Sequence, residues 1–376
     1  MGWSIRATGV MSGVLLILLA LQSTLANAGQ VLTDIAGRQV EVPAQVQRIV
    51  LGEGRLLPVL GILEGQQVLD RLVGMPADLA LIDPGTDRQY REAFPALQQV
   101  PRIGQGSADT FSLEQVLSLA PDLAIFSLSG HGPGSHQQRL TEQLQRAGVA
   151  VLFVDFREQP LVNTPLSIRL LGQALGREAR AEAFVAAHAR ALAAVSDALP
   201  GPPGPLVFLH SRAGLGDGCC ESMARGMLAG LLEAAGGRSL AADYLPGHAG
   251  VLSLELLLSQ PVDHYVASAV GSANSLAEGA PYIALGPGVQ AEPAHKSLQR
   301  LVSKGGIRHL AAIRNGQTHA IWHGFYNSPF NVVAVQVFAR WLYPDVFADL
   351  DPQATLAQLY AEFQPVPLQG TYWISL

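Results

Sequence analysis

Charge is scarce in this chain. Asp, Glu, Lys and Arg make up 14% of its 376 residues, the formal net charge is −6, and there is no long Lys/Arg run. Phosphate recognition needs a basic footprint, so a nucleic-acid-binding role is excluded at the outset. Cysteine is scarcer still: Cys219 and Cys220 stand side by side and are the only two. Without a Cys-x-x-Cys partner they make neither a zinc site nor a disulfide framework. Familiar catalytic motifs are missing too. There is no Gly-x-Ser-x-Gly elbow, no Walker loop, no His-Glu-x-x-His, and no Gly-x-Gly-x-x-Gly opening a helix after the first strand. Asp, His and Ser occur throughout, but no spacing ties them into a triad. An exported hydrolase is therefore the weaker reading, and the chain reads as a non-enzyme.

What remains is apolar. Hydrophobic residues reach 49% and mean hydropathy is +0.25, enough to bury a large core and to exclude wholesale disorder. The length suits two lobes of about 150 residues each. Residues 1–28 contain one charge, Arg6, then an apolar stretch from Val10 to Leu21, then Ala26-Asn27-Ala28. Charged start, apolar middle and small-residue exit predict a secretory signal peptide cleaved after Ala28. The apolar stretch is shorter than the roughly 20 residues a membrane span needs. The mature product is thus expected in the periplasm, with no membrane insertion.

Past residue 30 the chain alternates apolar runs with amphipathic stretches. Gln47–Leu51, Leu123–Phe126 and Val149–Val154 read as strands, with helical patches at Ser112–Leu119 and Gln137–Ala147. After the Gly201-Pro202-Pro203-Gly204-Pro205 breaker, strands recur at Leu206–His210, Tyr265–Ala267 and His319–Trp322. Strand–helix alternation predicts an α/β fold with crossover helices in each half. The expected organisation is an N-terminal lobe over 29–163, a connector over 164–200 and a C-terminal lobe over 201–376. The connector is rich in Ala, Leu, Arg and Glu. From Arg177 to Leu199 it has no Gly or Pro, which predicts a strut helix about 35 Å long.

The two halves share an internal echo. Residues 112–122 read Ser-Leu-Glu-Gln-Val-Leu-Ser-Leu-Ala-Pro-Asp, and residues 253–263 read Ser-Leu-Glu-Leu-Leu-Leu-Ser-Gln-Pro-Val-Asp. Ser112 and Ser253 are placed to cap helices, and Glu114 and Glu255 fall in the first turn, where the helix dipole favours an acid.

Thr33-Asp34-Ile35-Ala36-Gly37-Arg38-Gln39-Val40-Glu41-Val42-Pro43, followed by Gln47-Arg48-Ile49-Val50, resembles the opening of mature iron-complex binding proteins. These are the substrate-binding components of ABC importers for ferric siderophores, haem and cobalamin. The paired Ser-Leu-Glu units, the long connector and the signal sequence fit the same family. The resemblance implies two α/β lobes bridged by a single long helix, a ligand between them, and no bound cofactor beyond that ligand. It further implies a monomer, a small-molecule iron complex as cargo, and an inner-membrane ABC permease as partner. Glu114 and Glu255 match the carboxylates with which the family docks onto permease arginines. The family commonly carries a Thr-Glu pair where this chain has Gly52-Glu53-Gly54-Arg55, which marks a subgroup.

Ligands of open α/β lobes bind outside the carboxyl ends of strands, so the loops there supply the candidates. Arg55 follows the first strand and Arg212 follows Leu206–His210; the two are expected to clamp an anionic ferric chelate from opposite lobes. His131 and His136 lie in a Gly/Pro-rich loop. His323 and Tyr326 lie in Trp322–Pro329, where Trp322 is expected to be core. Cys219 and Cys220 either close a vicinal disulfide near the cleft or stay as two small buried thiols. No metal is expected to be ligated directly. A ferric siderophore is the favoured cargo, with haem or a corrinoid as the alternative. Haem would need His131, His136 or the C-terminal loop, because Tyr90 is the only tyrosine of the N-terminal lobe.

Overall fold

The computed structural model describes residues 29–216 and 219–376. The expected signal peptide lies outside the described residues, as do Asp217 and Gly218. Each half builds one principal sheet. In the N-terminal lobe β3 (Ile49–Leu51), β4 (Leu72–Gly74), β5 (Leu123–Ser127) and β6 (Ala150–Val154) run parallel in the order β4-β3-β5-β6. An antiparallel hairpin, β1 (Gln30–Thr33) and β2 (Gln39–Val42), precedes them. Every residue of β5 and β6 is buried, as apolar runs in a parallel sheet covered on both faces must be. The lobe's helices are α1 (Leu57–Glu64), α2 (Leu79–Ile82), α3 (Pro84–Ala93), α4 (Leu113–Ser118) and α5 (Gln138–Arg146).

The C-terminal sheet has the order β10-β8-β7-β11-β12-β13, with β9 (Arg238–Ser239) beside β7. Its centre is parallel: β7 (Leu206–His210), β11 (His264–Ala269) and β12 (Thr318–Trp322). The flanking strands β8 (Glu221–Met223), β10 (Ala249–Val251) and β13 (Trp373–Ser375) are antiparallel. The helices are α8 (Met227–Ala234), α9 (Leu254–Ser259), α10 (Ala273–Ala277), α11 (Ala291–Val302), α12 (Ala311–Arg314), α13 (Asn331–Leu342) and α14 (Pro352–Phe363), numbered after the two connector helices. The strands read from apolar runs all form, within two residues of the expected ends.

The strut helix expected over Arg177–Leu199 forms as α7 (Glu178–Ser196), but the connector as a whole is two helices and not one, because α6 (Pro160–Leu175) precedes it. Gly176 adopts the left-handed conformation, φ 64°, that ends a helix without the penalty a Cβ would bring. The N–H of Arg177 then returns to the carbonyl of Gly172 at 2.7 Å. The chain folds back so that Arg169 of α6 pairs with Glu182 of α7 at 2.7 Å.

The lobes are joined by a shared core. One apolar cluster takes in Leu57 and Leu60 of α1, Phe184 and Val195 of α7, and Val335 and Phe338 of α13. Within it His188 of α7 contacts Asn331 Oδ1 at 3.0 Å, and Asn331 Nδ2 donates to Thr164 Oγ1 of α6 at 2.8 Å. Gln336 Nε2 donates to the carbonyl of Ala191 at 2.9 Å. Buried polar pairs of this kind fix register, because a slip would leave each group unsatisfied. Among the described residues no helix is long and apolar enough to cross a membrane.

Candidate functional site

The site begins where β3 ends. The chain turns through Gly52 and Glu53 into a short helical turn, Gly54–Leu56, which holds Arg55 at the carboxyl edge of the sheet. Arg55 Nη1 donates to Tyr326 Oη at 2.6 Å, across the lobes, and Nη2 donates to Glu53 Oε1 at 2.9 Å. Its Nε is buried with no partner among the described residues. Glu53 is buried and also accepts from Ser127 Oγ of β5 and from the His131 backbone N–H at 3.2 Å. Burial alone would raise its pKa, but the Arg55 guanidinium and these hydrogen bonds outweigh it and hold the carboxyl below its usual value. The pair is therefore a charged, organised element. Arg55 is fixed in position, and the 127–136 loop is tied to the same carboxylate.

Arg212 mirrors this in the other lobe. It follows β7 and takes φ 47°, a left-handed conformation uncommon for a residue with a side chain. Its N–H donates to Ser268 Oγ at 2.8 Å, and Nη2 donates to both carboxylate oxygens of Glu221 at 2.6 and 2.7 Å. Ser268 Oγ, having accepted that N–H, is free to donate its own proton to His323 Nδ1 at 2.9 Å. His323 is then neutral with its N–H at Nε2. Burial, followed by the charges of Arg55, Arg212 and Arg157, pushes its pKa down to about 3. Desolvation, then Arg55, also lowers His131. Tyr326 lies between two cations: the Arg55 guanidinium is 5.2 Å and that of Arg157 5.5 Å from its ring centre.

These groups converge. A cavity of about 450 Å³ between the lobes is lined by Arg55, His131, Arg157, Arg212, His323 and Tyr326, within the range of small-molecule sites. All five residues expected to hold ligand are thus brought to one place, and Arg55 and Arg212 reach it from opposite lobes. Arg157 was not expected. It stands three residues past the end of β6, and among the described residues its guanidinium has no hydrogen-bonding or ionic partner. The remaining loop residues divide. His136 is exposed and lies off the cavity. Trp322, expected as core, is half-buried: it packs against both apolar clusters and also lines a second hollow beside the first. Tyr90 is wholly buried, with its hydroxyl on Gln364 Oε1 at 2.7 Å, so it cannot serve a ligand. Glu114 and Glu255 are exposed in the first turns of α4 and α9; Ser112 Oγ and Ser253 Oγ, not the glutamates, accept the free N–H groups of Gln115 and Leu256. Among the described residues no cluster of three or more His, Cys, Asp or Glu could hold a metal ion.

Asp78 stands against the back of the Glu53–Arg55 pair. Its Oδ1 accepts from Gly54 N–H at 2.9 Å, while Oδ2 is buried and unpartnered. Burial, with the nearby Glu53 charge, raises its pKa to about 6. Between about pH 4 and pH 6 the folded state therefore holds this proton more tightly than the unfolded state. Stability falls as pH rises through that window, and the loss is complete above it. Asp78→Asn keeps the acceptor and removes the charge. It is expected to stabilise the protein by about 2 kcal/mol at pH 7 and by almost nothing at pH 4. Urea unfolding at the two pH values checks this; equal effects at both would refute it.

The sulfurs of Cys219 and Cys220 lie within bonding distance, in the loop that runs from Arg212 to Glu221. If they are oxidised, unfolded and unreduced protein should show no titratable thiol, and reduction should release two. Closing so short a loop gives little chain-entropy benefit, so Tm should hardly move. Two thiols before reduction would show the pair to be free.

Comparison with known proteins shows the family and the fold. Residues 73–320 match the periplasmic binding protein family, and the chain belongs to it. No curated protein matches the chain by sequence. Among solved structures it is similar to a TroA-like periplasmic binding protein, FepB, from Veillonella parvula. That match has 22% identity and a TM-score of 0.81, and covers 92% of this chain and 99% of the other. It is also similar to the molybdate-bound periplasmic protein MolA of Haemophilus influenzae (15% identity, TM-score 0.65, covering 91% and 99%). A third is the periplasmic haem-binding protein RhuT from Roseiflexus (20% identity, TM-score 0.54, covering 80% and 99%). The protein is accordingly a periplasmic solute-binding component of an ABC importer, with a small-molecule ligand and a permease as partner.

Proposed function

We propose that this protein captures an anionic ferric chelate, a ferric siderophore, between its lobes and delivers it without chemical turnover to an inner-membrane ABC permease. The observation that carries the reading is the convergence of Arg55, Arg157 and Arg212, from both lobes, on one cavity. Guanidinium groups suit an anionic complex because they stay charged and present several directed donors. Glu53 and Glu221 hold two of them in place before ligand arrives, which lowers the ordering cost of binding. In this reading Glu114 and Glu255 dock the loaded protein to the permease, one carboxylate per lobe. The protein acts as a monomer after cleavage at Ala28.

One observation favours a second reading. Tyr326 Oη and His323 lie on the same cavity, and either could supply an axial ligand to haem iron while the arginines take the propionates. Native mass spectrometry of protein exposed to a mixture of ferric siderophores, haem and cobalamin decides between them. Retention of a ferric siderophore is the expected result. Retention of haem or cobalamin alone would replace it, and retention of nothing would overturn the binding role.

A further inference from the structure

A second hollow of about 70 Å³ lies beside the cationic cavity, and the two meet along Arg55, Ile82, Val270, His323 and Tyr326. Its character is different. Leu79 and Ile82 come from α2, Leu285 and Pro287 from the segment before α11, and Trp322 and Phe330 from the two ends of the 322–330 loop. These side chains carry no charge, and Trp322 and Phe330 offer aromatic surface; Asp83 is the one carboxylate in the lining, with Thr86, Ser272, Asn327 and Ser328 as further polar groups. The lobes meet closely along one part of its wall: a Cβ on Gly85 of α3 would fall 2.5 Å from the carbonyl oxygen of Pro287, so only a glycine permits that approach. The hollow is therefore a smaller, largely apolar chamber beside the charged one, with Asp83 in its wall.

We infer that the cargo has an anionic head and one compact apolar arm, with the arm seated in this side chamber. The inference rests on the reading of the larger cavity as an anion site and narrows the class of ligand. A wholly polar chelate would leave Leu79, Leu285, Trp322 and Phe330 unused, and a long chain would meet the Gly85–Pro287 wall. An aryl group and a short alkyl group share the required chemistry.

The test uses ferric chelates of three head types (citrate, hydroxamate and catecholate), each bare, with a butyryl arm, with a benzoyl arm and with a dodecanoyl arm. Calorimetric titration should find that, for whichever head the protein holds, a butyryl or benzoyl arm tightens binding at least tenfold over the bare head. The dodecanoyl arm should gain less than the better short arm. The better short arm identifies the group as alkyl or aryl. Thr86→Leu from the N-terminal lobe and Ala269→Leu from the C-terminal lobe each add bulk to a residue that lines the side chamber and not the cationic cavity. Each should abolish the gain from the arm and leave affinity for the bare head unchanged, which also shows the variant to be folded. If bare and short-arm chelates bind alike, or the longest arm binds best, the side-chamber assignment is wrong while the anion site stands. If no head binds, both fall together.

Discussion

Substituting Arg55 with Gln and Arg212 with Ala in one chain is expected to weaken binding of an anionic ferric chelate by more than tenfold, over about 1.4 kcal/mol. Each guanidinium reaches the cavity from its own lobe, so the double change removes both halves of the clamp. Gln at 55 is preferred to Ala because Glu53 would otherwise be left buried with no donor from that side. Breaking a buried charge pair by removing one partner costs about 3–5 kcal/mol, and the loss of fold would be mistaken for loss of affinity. Arg157→Ala is the cleaner single variant, having no acid to orphan among the described residues. About tenfold weakening with an unchanged Tm is expected there. Calorimetry of the variants against the chelate retained by the wild type measures both effects. Unchanged affinity in the double variant would remove the clamp from the account.

The second large effect concerns transport. Glu114→Arg with Glu255→Arg is expected to abolish uptake of the cognate iron complex while Tm and ligand affinity stay at wild-type values. Both carboxylates are exposed and make no ion pair among the described residues, and the capping serines Ser112 and Ser253 are retained. Reversal sets like charges against the cations of the docking partner, so it should be worse than Ala at the same positions. The single reversals should each retain some uptake, since the other lobe still offers its contact. Growth on the iron complex, compared at equal protein levels, reads the result. Normal growth of the double reversal would leave these glutamates only their place at the helix dipole.

The sheets were legible because their chemistry is local. Leu123–Ser127 and Leu206–His210 are apolar runs bounded by breakers, and both are buried along their whole length. The repeated Ser-Leu-Glu unit was legible for the same reason: a serine cap and a first-turn acid are a short-range signal. The helix after Gly176 was legible as a run without Gly or Pro, but α6 was not, because Pro165 and Gly172 lie inside it and read as interruptions. Arg157 left a usable signal. The strand-end rule that singled out Arg55 after β3 and Arg212 after β7 applies equally after β6. Trp322 ends a strand with an inward register, which suggests core, yet it faces a hollow built by residues from both lobes. Glu53 stands two residues from the Arg55 it pairs with, a local signal, whereas Asp78 and Ser268, which also set the charge and position of the ligand-facing groups, carry no sequence mark. Their roles come from contacts between segments far apart in the chain.

In the proposed function one anionic ligand is held by guanidinium groups of both lobes at once. The crystal structure of the protein loaded with its ferric chelate, with iron located by anomalous scattering, tests this most directly. Iron density is expected between the lobes, with chelate oxygens within hydrogen-bonding distance of Arg55, Arg157 and Arg212 together. A ligand contacting the arginines of only one lobe, or iron bound outside the cleft, would contradict it.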